Sequence, residues 1–385
     1  MPCIHESVKM KIRQLLRTGW RHHLHRSSLS SHHIFYVTLG TFCIGVFYCE
    51  YLIYFASIWW CSWPALQCLD GQGGEEAPLR AMILADTHVL GPWAHWLDKA
   101  RREWQMWRSF QTALYLLQPA VVFILGDLFD KADVTSLQQF EEDLRRFRVI
   151  FSVPSHIPLI CAAGNHDIGF HYKISDKGRS RFERRFVPKS VYRYSLSGMD
   201  FVILNSMAFE NDGCTMCREA QKLLSDLSRS LNKAEVRPVV LQHFPLYRES
   251  DAECSQDDAA PSSEKNISFR PKWDCLSREA SQELLEKLSP RALFSGHTHH
   301  GCYQEHFLQD GEPAPEWTVA SFNWRNKINP SFLMVSVCKS ELKVGRCHLP
   351  NEHTVFFLYG LLISLIVLGG LIITFRFKAS SKLKK

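Results

Sequence analysis

Stacked α/β layers, carried between two membrane-spanning helices, are the architecture this sequence predicts. Three observations predict it. Short, fully apolar runs each end in a polar motif, helical patterns lie between those runs, and a long apolar stretch stands near each end of the chain. Strands alternating with helices imply layers packed around buried sheets, and about 20 apolar residues suffice to cross the hydrocarbon core.

From the N-terminus, residues 1–33 form a basic tail with six Lys and Arg side chains against one acid, Glu6. A membrane-spanning helix follows at 34–58. Glu50 lies inside it, and a central acid costs roughly 2.5–3.5 kcal/mol, which the surrounding apolar residues offset. Trp59, Trp60 and Trp63 then suit an interfacial aromatic belt. A cleaved signal peptide is the competing reading, but its apolar region would run about 7–15 residues and start nearer the terminus. Residues 59–78 read as a linker, and 79–350 as the main domain. A second span at 355–375 carries no charge, and 376–385 is a second basic tail. Basic residues flank the outer end of each span, which places both termini in the cytoplasm and the main domain in the lumen or exterior. Asn266-Ile267-Ser268 is an N-glycosylation acceptor on that side. Ten of the thirteen cysteines fall between residues 61 and 347, where disulfides form in such a compartment. Cys214 and Cys217 have redox or zinc spacing. The absence of a second pair leaves a structural disulfide or two unrelated thiols.

Charge excludes one function class. The tails together carry +10 of a formal net charge of +6, which leaves −4 for the remainder. A mildly acidic domain is no groove for a phosphate backbone, so no nucleic-acid partner is expected.

Within the main domain the apolar runs are Ala81–Ala85, Val121–Leu125, Pro158–Cys161, Val239–Leu241 and Ala292–Phe294. Short unbroken runs of this kind suit buried strands. Trp93, Trp96, Ala100, Trp104, Trp107, Gln111 and Leu114 recur at helical spacing, and the tryptophans are expected in the core. Leu137, Phe140, Leu144 and Phe147 form a second helical stripe, with Thr135 as its expected N-cap. Residues 249–272 are rich in Ser, Asp and Glu and read as a surface insertion. The alternating run Phe332–Val337 suggests closing strands near the C-terminal end of the domain.

The chemistry lies where the runs end. In order come Asp86-Thr87-His88, Gly126-Asp127-Leu128-Phe129-Asp130, Gly164-Asn165-His166-Asp167, Gln242-His243 and Gly296-His297-Thr298-His299. Open α/β sheets place ligands at such strand ends. Carboxylate, imidazole and amide oxygen suit Mn²⁺, Fe or Zn²⁺, and no cysteine joins the set. Each motif alone is a weak signal, whereas the ordered set is specific. On these motifs, over about residues 79–345, the chain resembles the calcineurin-like metallophosphoesterase family. The resemblance implies a four-layer α-β-β-α sandwich holding two divalent metal ions. It also implies that Asp86, His88, Asp127 and His299 bind one metal, and that Asp127, Asn165, His243 and His297 bind the other. His166 is expected to protonate the leaving oxygen, and Asp130 to orient and polarise His166. Asp167 is expected to brace the Gly-Asn-His turn. His95, His156, His171, His300 and His306 are read as packing or solvated, with His300 the best candidate among them for a substrate contact.

The substrate follows from a narrower resemblance. Two terminal spans and the segment Ser321-Phe322-Asn323-Trp324-Arg325-Asn326 are similar to the membrane-anchored branch of the family that remodels glycosylphosphatidylinositol (GPI) anchors. That similarity implies removal of a side-chain ethanolamine phosphate from an anchor mannose, with manganese, between endoplasmic reticulum and Golgi. Substrates would be GPI glycolipid or GPI-anchored proteins, with cargo-receptor or coat contacts through the tails. Leu383 occupies the place of a dilysine lysine, so the basic end is either a variant retrieval signal or a topology determinant. The alternatives are a membrane-tethered phosphatase of nucleotides or phosphoproteins, and a non-enzymatic trafficking scaffold on the same fold.

Overall fold

A computed structural model describes residues 31–69, 75–186, 189–231 and 236–383. The basic tail up to residue 30, part of the linker, and Lys384 and Lys385 lie outside the described residues. The chain divides into two units, the apolar helical segments up to Leu52 and from Thr354, and the body Ile53–His353.

In the first unit the helix α1 (Ser31–Phe47) continues through a wider turn at Tyr48–Leu52. Phe35–Ile58 and Glu352–Phe375 are each long and apolar enough to cross a membrane. Gly45 abuts Leu362 and Gly369 abuts Thr38, so the two helices run antiparallel, as two opposite passes require. Tyr359 donates its hydroxyl to Glu50, which gives the acid a partner in apolar surroundings.

The body holds two large sheets, besides a two-stranded ribbon of Cys68–Leu69 with Glu75–Glu76. One comprises β1 (Leu79–Leu84), β2 (Val121–Ile124) and β3 (Leu159–Cys161), all parallel. The other begins with the antiparallel pair β4 (Val191–Leu196) and β5 (Met199–Leu204). It continues in parallel through β6 (Val239–Leu241) and β7 (Ala292–Ser295), then closes with β8 (Cys302–Phe307) and β9 (Pro313–Thr318). The chain finally returns to the first sheet as β10 (Ser331–Val337) and β11 (Leu342–His348). The strand orders are β11-β10-β1-β2-β3 and β8-β9-β7-β6-β5-β4. Alternate residues of the two sheets, such as Ile83, Phe123, Phe201, Leu241, Phe294 and Val335, share one buried layer. The opposite faces pack against helices: Met82 and Ile124 join Met106, Phe110 and Phe140, while Val202 and Val240 join Met216, Leu224 and Leu284. This is the expected four-layer arrangement.

The tryptophan stripe is corrected at its N-terminal half. Trp93 and Trp96 are 59% and 70% exposed, whereas Trp104 and Trp107 are half-buried, Trp107 against the core, and the helix α2 (Trp96–Leu117) buries Leu114 together with Met106, Phe110, Ala113 and Leu117. Polar Gln105 joins that face because its amide is consumed by main-chain bonds to Phe322 O (3.1 Å) and from Trp324 N (3.2 Å). A buried polar group with both halves bonded costs little, so the buried face is turned toward Gln105 and away from Trp93 and Trp96. The cap of the next helix, α3 (Leu137–Ile150), is Ser136 rather than Thr135, whose hydroxyl bonds Ala132 O instead. The linker region is stitched to the body by the Cys61–Cys347 disulfide and by Trp63 Nε1 donating to Leu117 O at 2.7 Å. Cys214 and Cys217 form a disulfide. The insertion is tied down by Cys254–Cys302 and by buried Asp258, which accepts from Ser331 Oγ and forms an ion pair with Arg346.

Candidate metal centre

Five loops leave the C-terminal ends of β1, β2, β3, β6 and β7 and meet where the two sheets come together. Main-chain bonds lace them: His88 N donates to Asp127 O (2.9 Å), and Gly296 N to His243 O (2.8 Å). Of the ten non-glycine residues with positive φ among the described residues, five are Asp86, His88, Asp127, His297 and His299. Such backbone costs of order 1–3 kcal/mol each and persists only where surroundings enforce it. Gly126 (φ +90°) and Gly164 keep the crossing possible. A Cβ on Gly164 would stand 2.2 Å from Asp127 Oδ1.

Six of the seven expected donors converge in two sets, Asp86, His88 and His299 in one and Asp127, His243 and His297 in the other, and Asn165 stands beside the second. Asp127 Oδ2 reaches both, at 3.5 Å from His88 Nε2 and 3.4 Å from His243 Nε2. His88 Nε2 and His299 Nε2 are 3.3 Å apart, as are His297 Nδ1 and His243 Nε2, and Asn165 Oδ1 is 3.2 Å from His243 Nε2. With metal–donor bonds of about 2.0–2.2 Å, adjacent donors on one ion stand about 3.0–3.4 Å apart, so these separations fit a pair of divalent cations. Outer carbonyls orient the rings, as is usual around metal sites. Leu125 O receives His243 Nδ1 at 2.7 Å, and Trp273 O receives His297 Nε2 at 2.8 Å. Asp86 accepts His297 N at 2.9 Å.

Electrostatics agree with that fit. Burial pushes His88 well below the usual histidine range, His297 down to about 3 and His299 down to about 4. Neutral imidazole is the ligating form. Burial also lifts Asp86 to about 7. Burial would lift Asp127 too, but the imidazoles of His243 and His166 hold it well below the carboxylate range. Against the same burial, Asp127 raises His243 to about 9. Asp127 thus stays ionised between the two donor sets, and His243, which it holds charged, would release that proton to bind a metal.

His166 is half-exposed at the mouth of the cavity. Its amide donates to Asp127 Oδ1 (2.9 Å), and Nδ1 meets the main-chain carbonyl of Asp130 at 2.5 Å. The expected partnership is therefore corrected in one respect. Asp130 orients His166 through its carbonyl, while its carboxylate pairs with Arg325. Nδ1 carries the hydrogen, which leaves Nε2 toward the cavity. Asp167 braces its turn as expected, accepting Gly164 N at 2.9 Å and Phe129 N at 3.1 Å. His95 caps α2, His171 pairs with Asp212, and His306 pairs with Glu316. His300 lines the cavity between Glu264 and Lys327.

Sequence reasoning missed the brace beneath the centre. Ser321 Oγ donates to Asp86 O at 2.8 Å, and Asn323 Nδ2 to Thr87 O at 2.7 Å. Asn326 Nδ2 lies 3.4 Å from His299 Nε2. The segment was noticed only through resemblance, because a turn without periodicity carries no local signal of what it holds.

Fold and site together define a metal-dependent phosphoester hydrolase. The calcineurin-like phosphoesterase family model matches residues 79–301, and the chain belongs to that family. Among curated relatives, it is 48% identical to "Metallophosphoesterase 1" of Ailuropoda melanoleuca, over 84% of this chain and 86% of that one. It is likewise 48% identical to "Metallophosphoesterase 1" of Mus musculus, over 81% and 82%. A solved dimetal phosphatase from Danio rerio aligns over 71% of this chain and 96% of that chain, at 12% identity and a TM-score of 0.47.

Proposed function

We propose that this protein is a membrane-anchored phosphodiesterase that removes a side-chain ethanolamine phosphate from a mannose of GPI anchors. It works with manganese between endoplasmic reticulum and Golgi, with the body lumenal and both tails cytoplasmic. The observation that carries the reading is the Ser321–Asn326 turn. The segment that resembles the anchor-remodelling branch is also the one that bonds to the Asp86–His88 loop. Antiparallel helices, three disulfides within the body and the exposed acceptor Asn266 support the topology.

In this reading Asp86, His88, Asp127 and His299 hold one cation, and Asp127, Asn165, His243 and His297 the other. When bound, the pair supplies an activated water and neutralises charge on the phosphoryl oxygens. The protein's own groups do the rest. Asp127 holds its carboxylate between the two donor sets and keeps the His166 amide in place. His166 presents Nε2 to the cavity and delivers a proton to the departing sugar oxygen. The Asp130 carbonyl fixes its ring, and Arg325 secures Asp130.

Mass spectrometry of anchor glycans from cells lacking the protein tests the assignment. Extra ethanolamine phosphate on mannose is expected. An unchanged anchor profile, with robust nucleotide hydrolysis by the purified protein, would overturn it.

A further inference from the structure

The cavity over the metal centre measures about 790 Å³, far more than a phosphoryl group fills. Its floor is Asn165, His166, His297 and His299, and its outer wall is built largely from the insertion. An aromatic stack rises from that floor. Phe244 lies on the His297 ring at 3.9 Å, Phe170 meets Phe244 edge-on, and Trp273 stacks on Phe170 at 4.7 Å and 21°. Tyr172 extends the stack beside Phe170 at 5.9 Å. Large aromatic rings usually hide, yet Trp273 and Tyr172 remain 40% and 49% exposed. The shelf is also indexed to the chemistry, because the Trp273 carbonyl bonds the His297 ring.

The polar groups around the shelf narrow its ligand. Arg270 lies over the Trp273 ring, 5.1 Å from its centroid, and is held bidentately by Asp274 at 2.9 and 3.0 Å. Glu264 stands 3.4 Å from His300, and buried Asp251 is paired with Arg248 at 2.8 Å. Planar charged side chains offer paired donors and acceptors to hydroxyl groups, and aromatic walls with a few placed polar groups are the usual build of a small-ligand site. With Asp274 neutralised by Arg270 and Asp251 by Arg248, the rim suits a neutral polyol. A sugar ring has an apolar face for the shelf and a hydroxyl rim for these partners.

We propose that Trp273, backed by Phe170 and Tyr172, is the platform of a sugar-binding subsite. The subsite seats the glycan whose phosphodiester lies over the metal centre. Its substrate class rests on the anchor-glycan reading, whereas the platform stands on the geometry above. Trp273 is accordingly a specificity-determining residue. It acts on the glycan portion of the substrate and leaves the phosphoryl group to the floor of the cavity.

The test uses the full-length, manganese-loaded protein in nanodiscs, with Trp273→Ala and Trp273→Phe. Steady-state kinetics compare a GPI glycan bearing ethanolamine phosphate with two probes. These are methyl phosphoethanolamine, a diester without a sugar, and thymidine 5′-(4-nitrophenyl phosphate). Binding of phosphate-free mannotriose is followed by saturation-transfer NMR. Trp273→Ala is expected to lower the ratio of glycan to methyl-ester kcat/KM by about tenfold, which is the scale of one aromatic stack. The loss should appear mainly in KM, and Trp273→Phe should recover most of it. Mannotriose contacts should vanish in the alanine variant. An equal loss on all substrates, or an unchanged ratio, overturns the subsite, as does a loss confined to the thymidine probe. If the natural protein leaves the GPI glycan intact but mannotriose binding still depends on Trp273, the anchor reading fails and the sugar platform stands.

Discussion

Replacing Asn323 with alanine probes how a remote turn holds the metal centre. Asn323 is fully buried. Its Nδ2 donates to Thr87 O at 2.7 Å and to His88 O at 3.4 Å, and its Oδ1 accepts Arg325 N at 3.0 Å. The alanine variant leaves two main-chain groups with short bonds unpartnered. At about 1–3 kcal/mol for an unsatisfied buried group, partly relieved by relaxation, the expected loss of stability is about 2 kcal/mol. In a body of about 300 residues, with an unfolding entropy of about 2.1 cal/mol/K per residue, that lowers the Tm by roughly 3 °C. A second effect falls on the metals. Asp86 and His88 sit at φ of 54° and 42°, a conformation costing of order 1–3 kcal/mol per residue that the loop relaxes once released. Metal affinity should then fall about 10–100-fold, as for other losses of outer support. Thermal unfolding without metal reads the first effect, and calorimetric manganese titration the second. Asn323→Asp keeps the shape and the acceptor but loses the donor and adds charge beside Asp86, so it should be worse on both counts. An alanine variant that loses stability yet binds manganese as the natural protein does would show that the turn braces the fold and not the site.

Further expectations follow from the same geometry. Asp127→Asn should cut turnover by on the order of a thousandfold or more, because the shared carboxylate loses its charge, while circular dichroism stays close to that of the natural protein. Substantial residual hydrolysis would contradict the shared role. His166→Ala should slow esters with alkoxide leaving groups by about 10²–10⁴-fold. Nitrophenyl esters, which need no proton, should slow far less, and equal slowing would assign His166 to positioning. Away from the centre, burial alone would raise Glu316, but His306 at 3.0 Å and Arg248 hold it below its ordinary 4.5. A depressed carboxylate contributes stability above that ordinary value and loses it as pH falls through the folded value. Glu316→Gln should therefore be less stable at neutral pH, with a flatter stability profile below pH 4.5 in chemical unfolding. An unaltered acid limb would refute this.

The metal donors were legible because each is local. A short apolar run ends, the chain turns, and a carboxylate or imidazole follows within a few residues. Strand formation and turn chemistry act over such distances, so the order of motifs survives without knowledge of the partner strands. The tryptophan stripe held at Trp107 and Leu114 but not at Trp93 and Trp96, for the opposite reason. Spacing reports which residues share a face, but the buried face of α2 was decided by Gln105 meeting Phe322 and Trp324, more than 200 residues away in sequence. Asp130 shows the same limit within a motif. The family resemblance marked it as a partner of His166, but Arg325 took the carboxylate and left the carbonyl to do the orienting.

By itself, then, the sequence determined the family, the layered α/β body, the positions of the seven candidate donors and two apolar stretches long enough to cross a membrane. All of these rest on residue type and short-range spacing. Tertiary structure alone decided that the Asp130 carbonyl meets His166 and that the Ser321–Asn326 turn supports the Asp86–His88 loop. It also turned an insertion read as surface into an outer wall of the cavity, beside Phe170 and Trp273. Such contacts join segments whose proximity depends on how every intervening element packs, and no local pattern in the chain encodes that.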